Sequence, residues 1–190
     1  MATPHDEIDD GLRAFIEAQR MFFVATAPLD AGGHVNLSPK GLDTLRILGP
    51  RQVAYLDHVG SGVETIAHLR ENGRIVLMWC ALEGPPKIVR VHGRGQILAP
   101  DETEYLRLRP LFPALPEGRS VIVVTVQRVA SSCGFGVPLY RFDGDRSQLP
   151  ESADRKGAEG LRDYQRAKNA TSIDGLPAVT WLEDEERSDS

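Results

Sequence analysis

The residues with the clearest chemical potential lie between Val53 and Leu82. A short apolar run, Val53-Ala54-Tyr55-Leu56, has the composition of a strand and leads to Gly60-Ser61-Gly62, a tight turn that opens a helix. The helix stops at Asn72-Gly73, and Arg74 to Leu82 reads as the next strand. The first backbone N–H groups of a helix lack internal partners, and the aligned peptide dipoles favour an anion there, so this turn can hold a phosphate. The same residues support a second reading. Ser61 followed three residues later by Glu64 is a capping box, which satisfies those N–H groups from within the chain.

Val35-Asn36-Leu37-Ser38-Pro39-Lys40-Gly41 is the second segment of interest. Polar residues at alternate positions, stopped by Pro39, mark an edge strand. Its unpaired N–H and C=O groups suit a flat heteroaromatic ring with donors and acceptors along one side, such as a flavin pyrimidine. A plain edge strand with solvated Asn36 and Ser38 is the simpler alternative.

The elements that position these segments follow from periodicity. Ile8, Leu12, Phe15 and Ile16 recur at helical spacing between Asp6 and Arg20. Met21 to Ala27 and His34 to Ser38 read as a hairpin across the Asp30-Ala31-Gly32-Gly33 turn. Leu42 to Gly49 reads as an irregular connection, Val53 to Asp57 as the third strand and Ser61 to Asn72 as the helix. Arg74 to Leu82 and Lys87 to Leu98 are joined by Glu83-Gly84-Pro85-Pro86, a turn signal. In the second of these, Val89, Val91, Gly93, Gly95 and Ile97 share one face, and Arg90, His92, Arg94 and Gln96 the other. A further helix carries Tyr105, Leu108 and Phe112, and Ser120 to Val129 is a final β-branched strand. The short hairpin turns exclude a parallel α/β arrangement, leaving a mainly β fold with flanking helices: a six-stranded, barrel-like antiparallel sheet. Past Ser131 to Pro138 and a charged loop, Ala158 to Lys168 reads as a last helix, and the tail past Glu183 as disordered.

The whole chain bounds the function. Its 190 residues fit one domain, with residues 1–150 forming the barrel and 151–190 a C-terminal helix and tail packed on it. A net charge of −5 without a basic stripe argues against a nucleic-acid partner. No apolar run reaches membrane-span length and no signal peptide is evident, so a cytoplasmic protein is expected. Cys80 and Cys133 are too few and too differently placed for a disulfide framework. His34, His58, His68 and His92 lack paired ligand spacing, so no metal site is expected, and His68 reads as a helix-surface residue. No Ser-His-Asp or Cys-His arrangement marks a nucleophile, and no catalytic residue is assigned.

Taken in order, the strand, Asn36-Leu37-Ser38-Pro39-Lys40-Gly41, the Gly60-Ser61-Gly62 turn, the helix to Asn72-Gly73, and Lys87-Ile88-Val89-Arg90-Val91-His92-Gly93-Arg94-Gly95 resemble the pyridoxamine 5′-phosphate oxidase-like family over roughly Phe15 to Val129. The resemblance implies a split β-barrel that dimerises and binds FMN in clefts at the subunit interface. It places the ring along Val35, Asn36, Leu37, Ser38 and Lys40, and the phosphate near Gly60, Ser61 and Gly62. The oxidases of this family carry an Arg-Lys pair where Gly62-Val63 stand and a glutamine where Ile88 stands. Their C-terminal Trp and Arg elements find no match here. True pyridoxamine 5′-phosphate oxidation is therefore not expected, and Lys40, Thr65, Arg90 or a partner residue must replace the lost cations. The implied function is an FMN-binding oxidoreductase acting on a small molecule. The alternatives are a non-catalytic flavin- or haem-binding module of stress-response type, with deazaflavin a further possible ligand, and a dimer whose cleft stays empty and serves a partner. The Ser131 to Pro138 segment can approach the ring from the other subunit with Phe135 over it; otherwise its glycines shape a turn and Cys133 is a small buried residue.

Overall fold

The computed structural model describes residues 2–115 and 118–182. Its strands are β1 (Thr3–His5), β2 (Phe22–Thr26), β3 (Asn36–Lys40), β4 (Leu45–Gly49), β5 (Gln52–His58), β6 (Arg74–Cys80), β7 (Ile88–Leu98) and β8 (Gly118–Ser132). The helices are α1 (Asp10–Ala18), α2 (Glu64–Asn72), α3 (Thr103–Leu108) and α4 (Gln148–Lys168), with a 3-10 turn at Arg109–Leu111. The eight strands form one sheet in the order β3-β2-β6-β7-β8-β5-β4, and β1 also pairs with β8. Every pairing is antiparallel. The long β8 is the spine: one edge follows β7 from Val121 to Ser132, and the other takes β5 and then β1.

The antiparallel class with flanking helices agrees with the sequence reading, but eight strands replace six, and the pairings run as an open path ending at β3 and β4. The two added strands are β1 and β4. Leu42 to Gly49, expected as an irregular connection, contains β4, whose residues are all half-buried and whose register slips between Ile47 and Gly49. It therefore shows no in-out alternation. β1 is three residues long and adds through backbone pairing to β8, which apolar patterning does not report. The last helix begins at Gln148, ten residues before its expected start, and is broken at Gly157, where φ is 65°. The expected disorder past Glu183 falls outside the described residues.

The inner face of the sheet holds the main core. Leu12 and Ile16 of α1 pack on Phe22, Val24, Tyr55, Leu77 and Trp79, with Phe22 edge-on to Tyr55 at 5.6 Å. α3 covers a second cluster around Leu56, Leu98 and Val121. α2 packs its Ile66 and Ala67 against Ala178, Val179 and Leu182 of the C-terminal segment. Two glycines are fixed by geometry. Gly73 ends α2 in the left-handed region at φ 69°, as the Asn72-Gly73 stop signal predicts. Gly93 sits at a bulge where a Cβ atom would lie 2.3 Å from the Thr125 carbonyl oxygen, which no other residue tolerates. The outer face of β2, β6 and β7 is different: Phe23, Ala25, Met78, Arg90 and His92 are only half-buried.

Candidate functional site

β3 lies at the edge of the sheet, and its pairing with β2 sets Asn36, Ser38 and Lys40 opposite Thr26, Val24 and Phe22. Those three side chains therefore face inward while Leu37 and Pro39 face out. The inward row makes a polar network with α2. Asn36 Nδ2 donates to Thr65 Oγ1 at 3.0 Å and to Thr26 Oγ1 at 3.2 Å. Ser38 Oγ donates to Asn36 Oδ1 at 2.9 Å. Thr26 Oγ1 lies 2.9 Å from His68 Nδ1. Thr26 Oγ1 has one proton and two lone pairs, so it can meet Asn36 and His68 together, the direction of the His68 bond following the ring's tautomer. His68 is fully buried, which corrects the expectation of a helix-surface residue, and burial pushes its pKa down, keeping the ring neutral.

At the end of β3 a charged cluster begins. Lys40 Nζ donates to Asp57 Oδ1 at 3.0 Å. Arg119 donates to Asp57 Oδ2 from Nε at 2.9 Å and from Nη2 at 2.7 Å. Asp57 is 0% exposed and Arg119 3%. Two cations around one carboxylate leave the cluster with an excess positive charge beneath the Gly60–Gly62 turn, and Arg119 reaches that turn, donating to the Gly62 carbonyl at 3.2 Å. Burial alone would raise the Asp57 pKa; the charges of Arg119 and Lys40 outweigh it and bring the carboxyl down to about 2. The neighbouring His58 is pushed down to about 4 by burial, with Lys40, Arg109 and Arg119 adding to the effect against the opposing pull of Asp57.

The turn itself departs from the capping-box reading. α2 starts at Glu64, so Val63 occupies the cap position and no side-chain cap bond forms there. Ser61 is exposed. The Glu64 carboxylate instead folds back, accepting from Val63 N–H at 3.0 Å and from Ile173 N–H at 3.4 Å. A second tie comes from the C-terminal segment, where buried Asn169 donates from Nδ2 to the Gly60 carbonyl at 2.9 Å. Arg119 and Asn169 thus hold the turn by its carbonyl oxygens, and neither consumes the N–H groups of Ser61 and Gly62.

Of the residues singled out from the sequence, Asn36, Ser38, Lys40 and Thr65 converge, and Gly62 joins them through Arg119. Val35 and Leu37 are exposed on the outward side, 74% and 63%. Arg90 lies opposite Met78 on the outer sheet face, donating to Ser132 Oγ at 3.3 Å, away from the Lys40 cluster of its own protomer. Cys133 is exposed, not buried. Asp57, Arg119 and Asn169 were not singled out. The available signal was an aspartate closing an apolar strand and an arginine opening one, but their partnership spans 62 residues and no local pattern encodes it.

The family profile of pyridoxamine 5′-phosphate oxidase matches residues 8–133. The Aspergillus flavus pyridoxamine 5′-phosphate oxidase family protein ustO is 37% identical over 192 aligned residues, which span 92% of this chain and 77% of that protein. The chain belongs to the pyridoxamine 5′-phosphate oxidase family. Among solved structures it is similar to HupZ of Group A Streptococcus, with a TM-score of 0.51 and 20% identity over 66% of this chain and 99% of the other. It is equally similar, at a TM-score of 0.51 and 15% identity, to a Lactobacillus delbrueckii protein provisionally described as a pyridoxamine 5′-phosphate oxidase, over 66% of this chain and 94% of the other. At these identities the two structures speak to fold alone. Among the described residues no group of three or more His, Cys, Asp or Glu is placed to hold a metal ion, and no helix is long and apolar enough to cross a membrane.

Proposed function

We propose that this protein is a homodimeric FMN-binding oxidoreductase acting on a small molecule in the cytoplasm. The observation that carries the reading is the convergence of an edge strand, β3, and the Gly60–Gly62 turn on one polar network underlain by the Lys40–Asp57–Arg119 cluster. These residues fit FMN. The free edge of β3 suits the donor and acceptor row of a flavin pyrimidine. The N–H groups of Ser61 and Gly62 and the excess positive charge of the buried cluster suit its phosphate. Arg119 supplies a cation that compensates in part for the Arg-Lys pair absent at Gly62-Val63. A bound flavin supplies the redox chemistry. The chain's part is to orient the ring along β3, to fix the Lys40 side chain at the strand end through its bond to Asp57, and to keep His58 and His68 neutral beside it. The half-buried outer face of β2, β6 and β7 is the surface for the second copy, and two free cysteines suit a reducing compartment.

The test is an absorbance spectrum from about 300 to 600 nm of purified protein, before and after adding FMN and desalting, because a bound oxidised flavin is a chromophore. Retained flavin bands are expected. A colourless protein unable to keep FMN overturns the reading. Anaerobic bleaching of those bands by NADH or NADPH then separates an oxidoreductase from a storage or sensing module.

A further inference from the structure

A cavity of about 950 Å³ opens at the Lys40 end of β3, built largely from parts of the chain that the proposed flavin site does not use. Phe23, Pro39 and Lys40 form its floor, Arg20 stands at the end of α1, and residues 140–146 run across the opening as a strap. The strap has no secondary structure, yet its position is fixed. Tyr140 N–H donates to the Leu82 carbonyl at 2.9 Å, and Phe142 N–H donates to the Glu83 carboxylate at 2.9 Å. The Arg20 guanidinium sits 5.5 Å from the centre of the Phe142 ring. The strap also lies outside residues 8–133, the part of the chain that matches the family profile. It is an addition to the shared barrel, where one member's specificity over another's belongs.

The lining has a definite chemistry. Phe23, Tyr140 and Phe142 offer flat apolar contact. Arg20, Arg141 and Arg146 line the cavity, and none forms an ion pair among the described residues. Of the other charged groups in the lining, Lys40 is committed to Asp57 and Glu83 to the strap, which leaves three arginines, Arg20 beside the Phe142 ring and Arg141 and Arg146, against the two aspartates Asp143 and Asp145. The lining is therefore locally positive in a chain whose net charge is −5. Its volume lies toward the top of the roughly 300–1,000 Å³ range of small-molecule sites, which leaves room for a ligand beside a flavin ring on β3.

We propose that this cavity is the substrate site and that it takes a flat, largely apolar molecule carrying a carboxylate, its ring system against Phe142 and its acid group toward Arg141 and Arg146. The word substrate rests on the FMN reading; binding of such an acid does not. The probes are 2-naphthoate and its neutral amide, 2-naphthamide, titrated calorimetrically into the full chain. The acid is expected to bind at least about tenfold more tightly than the amide, the difference a charged hydrogen bond makes. The Arg141→Ala/Arg146→Ala double variant, altered only at exposed positions, should lose that preference while still binding the amide. Phe142→Ala should weaken both. Equal affinity for acid and amide, no binding of either, or an unchanged preference in the double variant overturns the proposal. The wild-type comparison alone decides the ligand class if a variant misfolds. Naphthoate binding to a protein that retains no FMN leaves the site standing and sinks the flavin reading; flavin retention with no naphthoate binding does the reverse.

Discussion

At the scale of single residues, the Lys40–Asp57–Arg119 cluster controls both ligand charge and stability. Lys40→Ala removes one cation from the end of β3 and is expected to weaken FMN by about 1.5–3 kcal/mol, the value of a charge-assisted hydrogen bond. An unchanged titrated affinity would remove Lys40 from the site. Arg119→Met should act more severely, since it leaves a buried carboxylate with one partner; about 3–5 kcal/mol of stability is the usual cost of breaking a buried pair, and a shift in the urea midpoint measures it. The same groups set the acid limb of stability. His58, neutral in the fold down to about pH 4, binds a proton in the unfolded chain below its ordinary value of 6.5. The unfolded state therefore holds more protons in that window, and stability falls as pH drops from 6.5 to 4. Asp57 adds a second loss below its unfolded pKa of 3.8, complete once the pH passes below about 2. Urea midpoints across pH should show both limbs. His58→Gln should make the upper one shallower without abolishing it, because burial also lowers His68 and His92.

At the scale of elements, the start of α2 holds an internal rival for the phosphate. The Glu64 carboxylate already occupies the positive end of the helix, bonded to Val63 N–H, and its Oε2 stands 2.9 Å from where a Gly62 Cβ would be. An anionic ligand at the turn must compete with it, so Glu64→Gln is expected to tighten FMN by roughly 0.3–1 kcal/mol, the value of one charge at a helix end, and to leave riboflavin unchanged. Ser61→Asp should do the opposite, expelling FMN while sparing riboflavin; equal effects on both ligands would place the phosphate elsewhere. The elements also show what the sequence could disclose. The β3 hairpin, the Gly60–Gly62 turn and the Asn72-Gly73 stop were legible because glycine, proline and strict alternation mark them locally. β4 was not, because a bulged strand of uniformly half-buried residues has no period, and the Glu64 cap was not, because Ser61 presented the more familiar capping pattern. Arg90 shows the limit of alternation: period two sorted the faces of β7 correctly, but which face looks toward the Gly60–Gly62 turn depends on the order of strands in the sheet.

At the scale of the molecule, the sheet is covered on both faces where β5 meets β8, and only half-covered on the outer face of β2, β6 and β7. α1 covers the inner cluster, α3 covers the opposite face over Ala54, Leu56, Leu98, Val121 and Val123, and α2 packs with the C-terminal segment near the turn. The outer face has Val76, Met78 and Ile88 only half-buried, and beside it Val35, Leu37 and Phe135 are exposed, the last by 81%. Large apolar side chains left together on one surface mark an interaction site, and a face carrying Arg90 and His92 among them combines an apolar centre with polar anchors. Self-association through this face also gives Arg90 a role its own protomer does not offer, since a two-fold axis can bring it toward the β3 edge of the second copy. Met78→Asp replaces an apolar side chain in the middle of that face, next to Arg90 and Phe23, with a hydrated carboxylate whose water a second copy would have to strip. On the proposed dimer, the wild type is expected to run as a dimer and the variant as a monomer in light-scattering chromatography, and the variant to lose FMN in the same step, because the proposed cleft is built from two chains. A Met78→Asp protein that stays dimeric moves the interface to another surface. One that becomes monomeric yet keeps its flavin confines the cofactor to the residues of a single chain, with Asn36, Ser38, Lys40, Thr65 and Arg119 among its charged and polar supports.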